Sequence, residues 1–155
     1  VNLNGTMGMP KKHLQAPAAA INETLAPHHV KAYISVNKAL VTQASAAIPI
    51  VPLYFAILYK VMKEKGLHEG CIEQMGRLFH EKLFAGSPVV DQEGRIRLDD
   101  WELREDVQKE VMEIWDKIRT ENITELADVE GYWDDFYRMF GFRFPNVDYT
   151  QDVEV

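Results

Sequence analysis

Hydrophobic positions recur at helical spacing along most of this chain. Leu14, Ala18, Ile21 and Leu25 fall on one face of an amphipathic helix. Pro17 interrupts that run, so the regular helix is expected to start near Pro17 or to be kinked there. Residues 31–40, "KAYISVNKAL", alternate Tyr33 and Ile34 with small or polar neighbours and end in β-branched Val36, the pattern of a short strand. The segment "VTQASAAIPIVP" predicts a loop, followed by a helix from about Leu53 to Lys65 that closes at Gly66, a favoured left-handed cap. A further helix is expected from about His68 to Phe84. Ile72, Met75, Leu78, Phe79 and Leu83 form its buried side, and Gly86 lies beyond its end.

Later in the chain the period changes. "SPVVDQEGRIRLDD" reads as a hairpin near 89–98, with turn chemistry at Asp91 to Gly94 and Ile96 and Leu98 alternating with Arg95 and Arg97. A long helix from about Asp100 to Arg119 places Leu103, Val107, Val111, Ile114 and Ile118 on one stripe. Asn122 and Glu125 have capping-box spacing and open a short helix. Tyr132, Trp133, Phe136, Tyr137 and Phe140 then make an aromatic face that stops at Gly141. Helix packing accounts for this face better than a stacking platform.

Between Lys38 and Lys60 no charged residue occurs, a length that would permit a membrane span. Polar Thr42, Gln43 and Ser45, together with Pro49 and Pro52, argue against one. Each proline removes an amide donor, and in hydrocarbon the freed carbonyls would need partners that this stretch does not offer. An irregular first half leading into a buried helix fits better.

A chain of 155 residues is long enough to bury a proper core without staples. Cys71 is the single cysteine, so neither an internal disulfide nor a multi-cysteine metal site can form. The first residue is Val1, and the opening "VNLNGTMG" holds neither strand nor cap, so a piece of something longer is expected. The net charge is −7, unevenly spread: residues 1–87 carry nine Lys/Arg against five acids, and 88–155 carry eight against nineteen. An anionic ligand would be welcome on the first half, although two differently solvated surfaces explain the split equally well. Nucleic acid is disfavoured, because no basic stripe with interleaved aromatics occurs.

Local motifs are sparse. Gly5 and Gly8 form only a GxxG, too little for a phosphate cradle. His28 and His29 are adjacent and point apart, and His68, Glu69 and Cys71 would hold a metal only with help from distant residues. Lys11 and Lys12 follow a glycine turn. A lysine there can reach a ribose or phosphate and lower the pKa of a nearby phenol, although solvation is what most lysines do.

The blocks "GTMGMPKKHL", "SVNKALVTQASAAIPIVPLY", "LYKVMKEKGLHEGCIEQ", "DQEGRIRLDDWELREDVQ" and "GYWDDFYRMFGF...VDY" resemble the C-terminal part of the NADH-dependent trans-2-enoyl-CoA (or acyl-carrier-protein) reductases. These are single-chain relatives of the short-chain dehydrogenases, and the similarity covers nearly the whole chain. It implies an α/β fold: the C-terminal part of a Rossmann-type reductase, mostly helical, with one or two short parallel strands and a small β-hairpin. Residues 1–155 would form a single reductase segment, with 1–43 ending the Rossmann core and 44–155 forming a helical substrate-side region.

The resemblance also implies chemistry. In the family a tyrosine, followed by eight residues and a lysine, works with NADH on an enoyl thioester. The lysine carries over to Lys11, while counting back nine positions reaches Asn2, where an amide cannot replace a phenol as a proton donor. Leu40, Val41 and Thr42 match the strand end lying along the cofactor, with Thr42 the side chain to bond the nicotinamide amide or a phosphate. Ile48, Pro49, Ile50 and Tyr54 would face the acyl chain, where exclusion of water favours hydride transfer. Ordinary core packing accounts for each of those four equally well. The implied setting is the cytoplasm, or an organelle in a eukaryote, and the implied partners are an enoyl-CoA or enoyl-carrier-protein thioester and an N-terminal Rossmann half. The rival is a non-catalytic helical domain that pairs with that half.

Overall fold

The computed structural model describes residues 8–84 and 86–152, and at positions 8, 11 and 12 it describes the backbone alone. The chain divides into two compact units, Val1–Asn37 with Ile72–Asp99 and Lys38–Cys71 with Asp100–Val155.

In the first unit α1 spans Gly8–Leu25 and carries Pro17 in its interior. The expected start near Pro17 is thus corrected: the helix begins nine residues earlier. Pro17 is exposed, so the carbonyl that its missing amide leaves free can be met by water. After a short 3₁₀ turn at Ala26–His28, Asn22 pins the entry to β1 (Ile34–Val36) by donating to the Ala32 carbonyl at 2.9 Å and accepting from the Ala32 amide at 2.7 Å. β1 pairs in parallel with β2 (Arg95–Arg97) in the register Ile34 to Arg95 and Val36 to Arg97. The turn of the expected hairpin is present, with Gly94 donating to Asp91 at 3.0 Å and at φ +74°, but no strand precedes it. The Asp91 carboxylate accepts from the amides of Glu93 and Arg95, which closes the turn by itself. β2 takes its ladder from β1 instead.

The expected helix over 68–84 is α4 (Cys71–Arg77), which runs into a π-helical turn at Leu78–Leu83. Leu78, Ile96 and Leu98 form the core here, with Tyr33, Met75 and Leu83 against it. Ile72 and Phe79, expected on the buried side, are exposed. Phe79 lies within the π turn, whose different angular step misplaces a side chain projected on a single α period; Ile72, in the first turn of α4, precedes it and has no such cause.

The second unit is built on α3 (Val51–Glu64). Phe55, Ala56, Ile57, Leu58, Tyr59, Val61 and Met62 are all buried, covering nearly its full circumference, as expected of an all-apolar run. Pro52 lies in its first turn, where the missing amide costs nothing, and Gly66 follows at φ +66°. α5 (Glu105–Lys117) contributes Val107 and Val111, and α7 (Val129–Arg138) contributes Tyr132. α5 begins later than Asp100, and Leu103 is exposed in the turns before it. Two one-turn helices complete the unit: α2 (Gln43–Ala46), inside the expected loop, and α6 (Ile123–Leu126). Asn122 does precede α6. Its side chain, however, accepts from Arg119 and donates to Lys117 rather than capping the helix. No helix of the described residues is long and apolar enough to cross a membrane.

Candidate functional site

Asn2 lies outside the described residues, and Lys11 lies in α1 of the first unit with its backbone alone described. Leu40, Val41, Thr42, Ile48, Pro49, Ile50 and Tyr54 all belong to the second unit. A hollow of about 470 Å³ in the first unit, lined among others by Asn22, His29 and Tyr33, contains none of the expected site residues.

From Lys38 to Tyr54 the second unit holds its backbone through short bonds. Thr42 caps α2 reciprocally with Ser45: its hydroxyl accepts from the Ser45 amide at 3.1 Å, and its own amide donates to Ser45 Oγ at 2.8 Å. Thr42 is exposed, and its hydroxyl proton is left to donate outward. Val41 is 8% exposed and packs in the core, so it can meet a ligand only through its main chain. Leu40 is half-buried. The amides of Ile48, Val51 and Tyr54 then bond to Ser45, Ile48 and Ile50 in succession, leading the chain into α3.

Ile50 has φ +74° and ψ −33°, a conformation that a β-branched residue adopts at a cost of about 1–3 kcal/mol. Its side chain is 67% exposed, so packing does not compensate. Such strain, on an apolar residue held outward, is common where a ligand is received.

The electrostatics below this segment were not visible in the sequence. Lys38 is 2% exposed, donates from Nζ to the Ala39 carbonyl at 2.9 Å, and lies 4.7 Å from the centre of the Tyr59 ring. Burial lowers its pKa to about 8, although Glu102, Asp135 and Glu69 pull it upward. The Tyr59 hydroxyl accepts from the Val41 amide at 3.3 Å, and the phenol pKa is raised by burial and by the charge of Asp135, with which it is hydrogen-bonded. His68 meets the Tyr59 ring edge-on at 4.4 Å. Its pKa is lowered to about 4 by burial and by Lys38 and Lys63, and its Nδ1 has no hydrogen-bond partner among the described residues. Glu102 Oε2 accepts from the Ala39 amide at 2.7 Å and Oε1 accepts from the Tyr54 hydroxyl at 3.1 Å. Tyr54 is pushed up to about 12, by burial first and then by Glu102.

Two family models match the chain: the trans-2-enoyl-CoA reductase catalytic region over residues 1–84, and the enoyl reductase FAD binding domain over residues 90–153. The chain belongs to the trans-2-enoyl-CoA reductase family. It is 56% identical over 150 residues to the enoyl-[acyl-carrier-protein] reductase [NADH] of Flavobacterium johnsoniae, covering 96% of this chain and 38% of that protein. It is 54% identical over 154 residues to the Coxiella burnetii enzyme of the same name, again covering 38% of the relative. Among solved structures, Clostridium acetobutylicum trans-2-enoyl-CoA reductase in complex with NADH superposes with a TM-score of 0.92 at 50% identity, over 99% of this chain and 39% of that one. The Treponema denticola trans-2-enoyl-CoA reductase in complex with NAD gives 0.90 at 50% identity, over 96% and 37%. This member of the family therefore spans under two fifths of the relatives that it matches.

Within this reductase segment, sequence reading singles out Leu40–Thr42 and Ile48–Tyr54 and considers His68 only as a metal ligand; it gives no role to Lys38, Tyr59 or Glu102. Lys38 stood out only as the border of the uncharged run. Tyr59 lies within that run, and Glu102 and His68 meet it through Tyr54 and Tyr59, contacts that no local spacing encodes.

Proposed function

We propose that the chain is the C-terminal part of an NADH-dependent reductase that saturates the C2–C3 double bond of trans-2-enoyl thioesters, on coenzyme A or an acyl carrier protein, in fatty-acid synthesis. The observation that carries this reading is the held segment 38–54: an exposed Thr42 hydroxyl toward one end and outward-held Ile50 toward the other, in a family whose members are named for NADH and for enoyl-carrier-protein or enoyl-CoA reduction.

The residues present fit a nicotinamide cofactor. The Thr42 hydroxyl already accepts from Ser45 and keeps its proton for a carboxamide or phosphate oxygen, while Leu40 and Val41 offer main chain beside it. NADH, when bound, supplies the hydride that reduces the enoyl β-carbon. Lys11 would hold the ribose by its charge. Ile48, Pro49 and Ile50 would exclude water from the acyl group, where a drier site strengthens every polar contact to the thioester oxygen. The neighbouring Tyr54 phenol, pushed up to about 12 by burial and Glu102, stays protonated and donates to Glu102. The second family model is that of an FAD binding domain, but NADH is the cofactor proposed because the relatives are NADH enzymes by name; a yellow, flavin-containing preparation would count against that choice. A cytoplasmic setting, where acyl carriers and NADH meet, goes with this reading.

Asn2 at the position of the family's tyrosine favours a second reading, a non-catalytic domain that pairs with an N-terminal Rossmann half. Both are tested by following NADH oxidation with crotonyl-CoA for the chain alone, for the chain joined to the N-terminal part of the Flavobacterium relative, and for that fusion with Asn2→Tyr. Turnover in the Tyr-containing fusion supports the reductase. A folded fusion with none supports the interaction domain.

A further inference from the structure

Resting on the reductase reading, we infer that Glu102 is a positioning residue whose single carboxylate fixes the cofactor-side segment at Ala39–Thr42 and the acyl-side tyrosine at once. Its two oxygens accept from different parts of the candidate site: Oε2 from the Ala39 amide at 2.7 Å, one residue before Leu40, and Oε1 from the Tyr54 hydroxyl at 3.1 Å. Gln108, from α5, braces the arrangement. Its Nε2 donates to the Glu102 carbonyl at 2.8 Å and to the Tyr54 hydroxyl at 3.4 Å, so that hydroxyl receives one proton and gives its own to Glu102. Ala39 is held from its other side too, since Lys38 Nζ donates to its carbonyl at 2.9 Å.

The geometry explains why a carboxylate stands here. Both groups facing it are donors, and an ionised carboxyl is the side chain that accepts twice and donates nothing. A glutamine would accept from one of them and turn an N–H toward the other, so one of the two anchors must break. Hydrogen bonds to a charged group are also the stronger kind. Glu102 therefore links the positions of Leu40–Thr42 and Tyr54 without touching cofactor or substrate.

The test uses Glu102→Gln and Glu102→Ala in the fusion with the N-terminal part of the Flavobacterium relative and Asn2→Tyr. Three quantities are read: the Kd for NADH, the KM for crotonyl-CoA against kcat, and the alkaline titration of the Tyr54 phenol, isolated by difference from Tyr54→Phe. Burial, Glu102 and Gln108 set that titration, so removing the Glu102 charge lowers it from about 12 while leaving burial in place. Each variant should weaken NADH and crotonyl-CoA together by about tenfold, the equivalent of one lost charge-assisted hydrogen bond, with kcat changed less than KM. Glu102→Gln should do so while its cooperative unfolding stays intact. Variants that bind both ligands like the parent, or an unmoved Tyr54 titration, overturn this inference and leave the reductase reading standing. A parent fusion that binds no NADH overturns both.

Discussion

Replacing Tyr59 by Phe removes one oxygen from the centre of the second unit and leaves the ring. That ring is 0% exposed, stacks on Phe55 at 6.4 Å and takes the His68 ring edge-on, so the phenylalanine keeps its packing. What is lost is the acceptor for the buried Val41 amide and the hydrogen-bond partner of Asp135. A buried donor left without a partner costs about 1–3 kcal/mol. The bond to Val41 is long, at 3.3 Å, which places the loss in the lower part of that range, about 1–2 kcal/mol. Urea unfolding of the 155-residue chain should show the midpoint falling with an unchanged slope. Amide exchange should quicken at Val41 by about tenfold, the rate equivalent of about 1.4 kcal/mol. A variant as stable as the parent, with Val41 exchanging at the parental rate, would refute the claim that Tyr59 holds the Leu40–Thr42 segment.

Other consequences follow from the same unit. His68 binds fewer protons folded than unfolded between its lowered pKa of about 4 and the ordinary 6.5, so its contribution to stability is present above pH 6.5 and is lost as the pH falls toward 4. With Lys38, Lys63 and Asp128 facing it, the loss amounts to at most about 3 kcal/mol, and the parent-minus-His68→Asn difference in pH-dependent unfolding should contain it. Lys38 follows the same sign in a higher window: stability should rise between pH 8 and 10.5 as the buried ammonium is relieved of its charge, and Lys38→Met should flatten that rise. Ile50→Gly removes an exposed side chain from a positive-φ position, so relief of strain offsets the added chain entropy and the melting temperature should hold or rise. Under the reductase reading its KM for crotonyl-CoA should worsen. At Gly131 an added Cβ would collide with the Asp128 carboxylate and lie 2.5 Å from Lys63 Nζ, so Gly131→Ala should disturb the N-cap of α7 and cost about 1–2 kcal/mol in a thermal melt.

The sequence announced α3 clearly because its signals agree: an apolar run, a proline in the first turn and a glycine at the close. Signals that depend on distance in the chain were hidden. Turn chemistry at Asp91–Gly94 suggested a hairpin, yet the strand after it pairs with Ile34–Val36, some sixty residues earlier in the register that joins Ser35 to Ile96. A single helical period places Phe79 inward, and the π turn at Leu78–Leu83 breaks that period. The candidate site shows the same division. Leu40–Thr42 and Ile48–Tyr54 were readable as one local stretch, whereas the carboxylate joining their ends comes from residue 102. A buried lysine, too, looks in sequence like any solvated one; only packing around Tyr59 reveals its lowered pKa.

The most direct trial is an NADH titration of the Tyr-containing fusion with isotope-labelled leucine, valine and threonine, watching the backbone resonances of Leu40, Val41 and Thr42. Saturable shifts at these three residues, weakened by Thr42→Val, are the predicted result. NADH binding that leaves all three unmoved would contradict the placement of the nicotinamide against this segment.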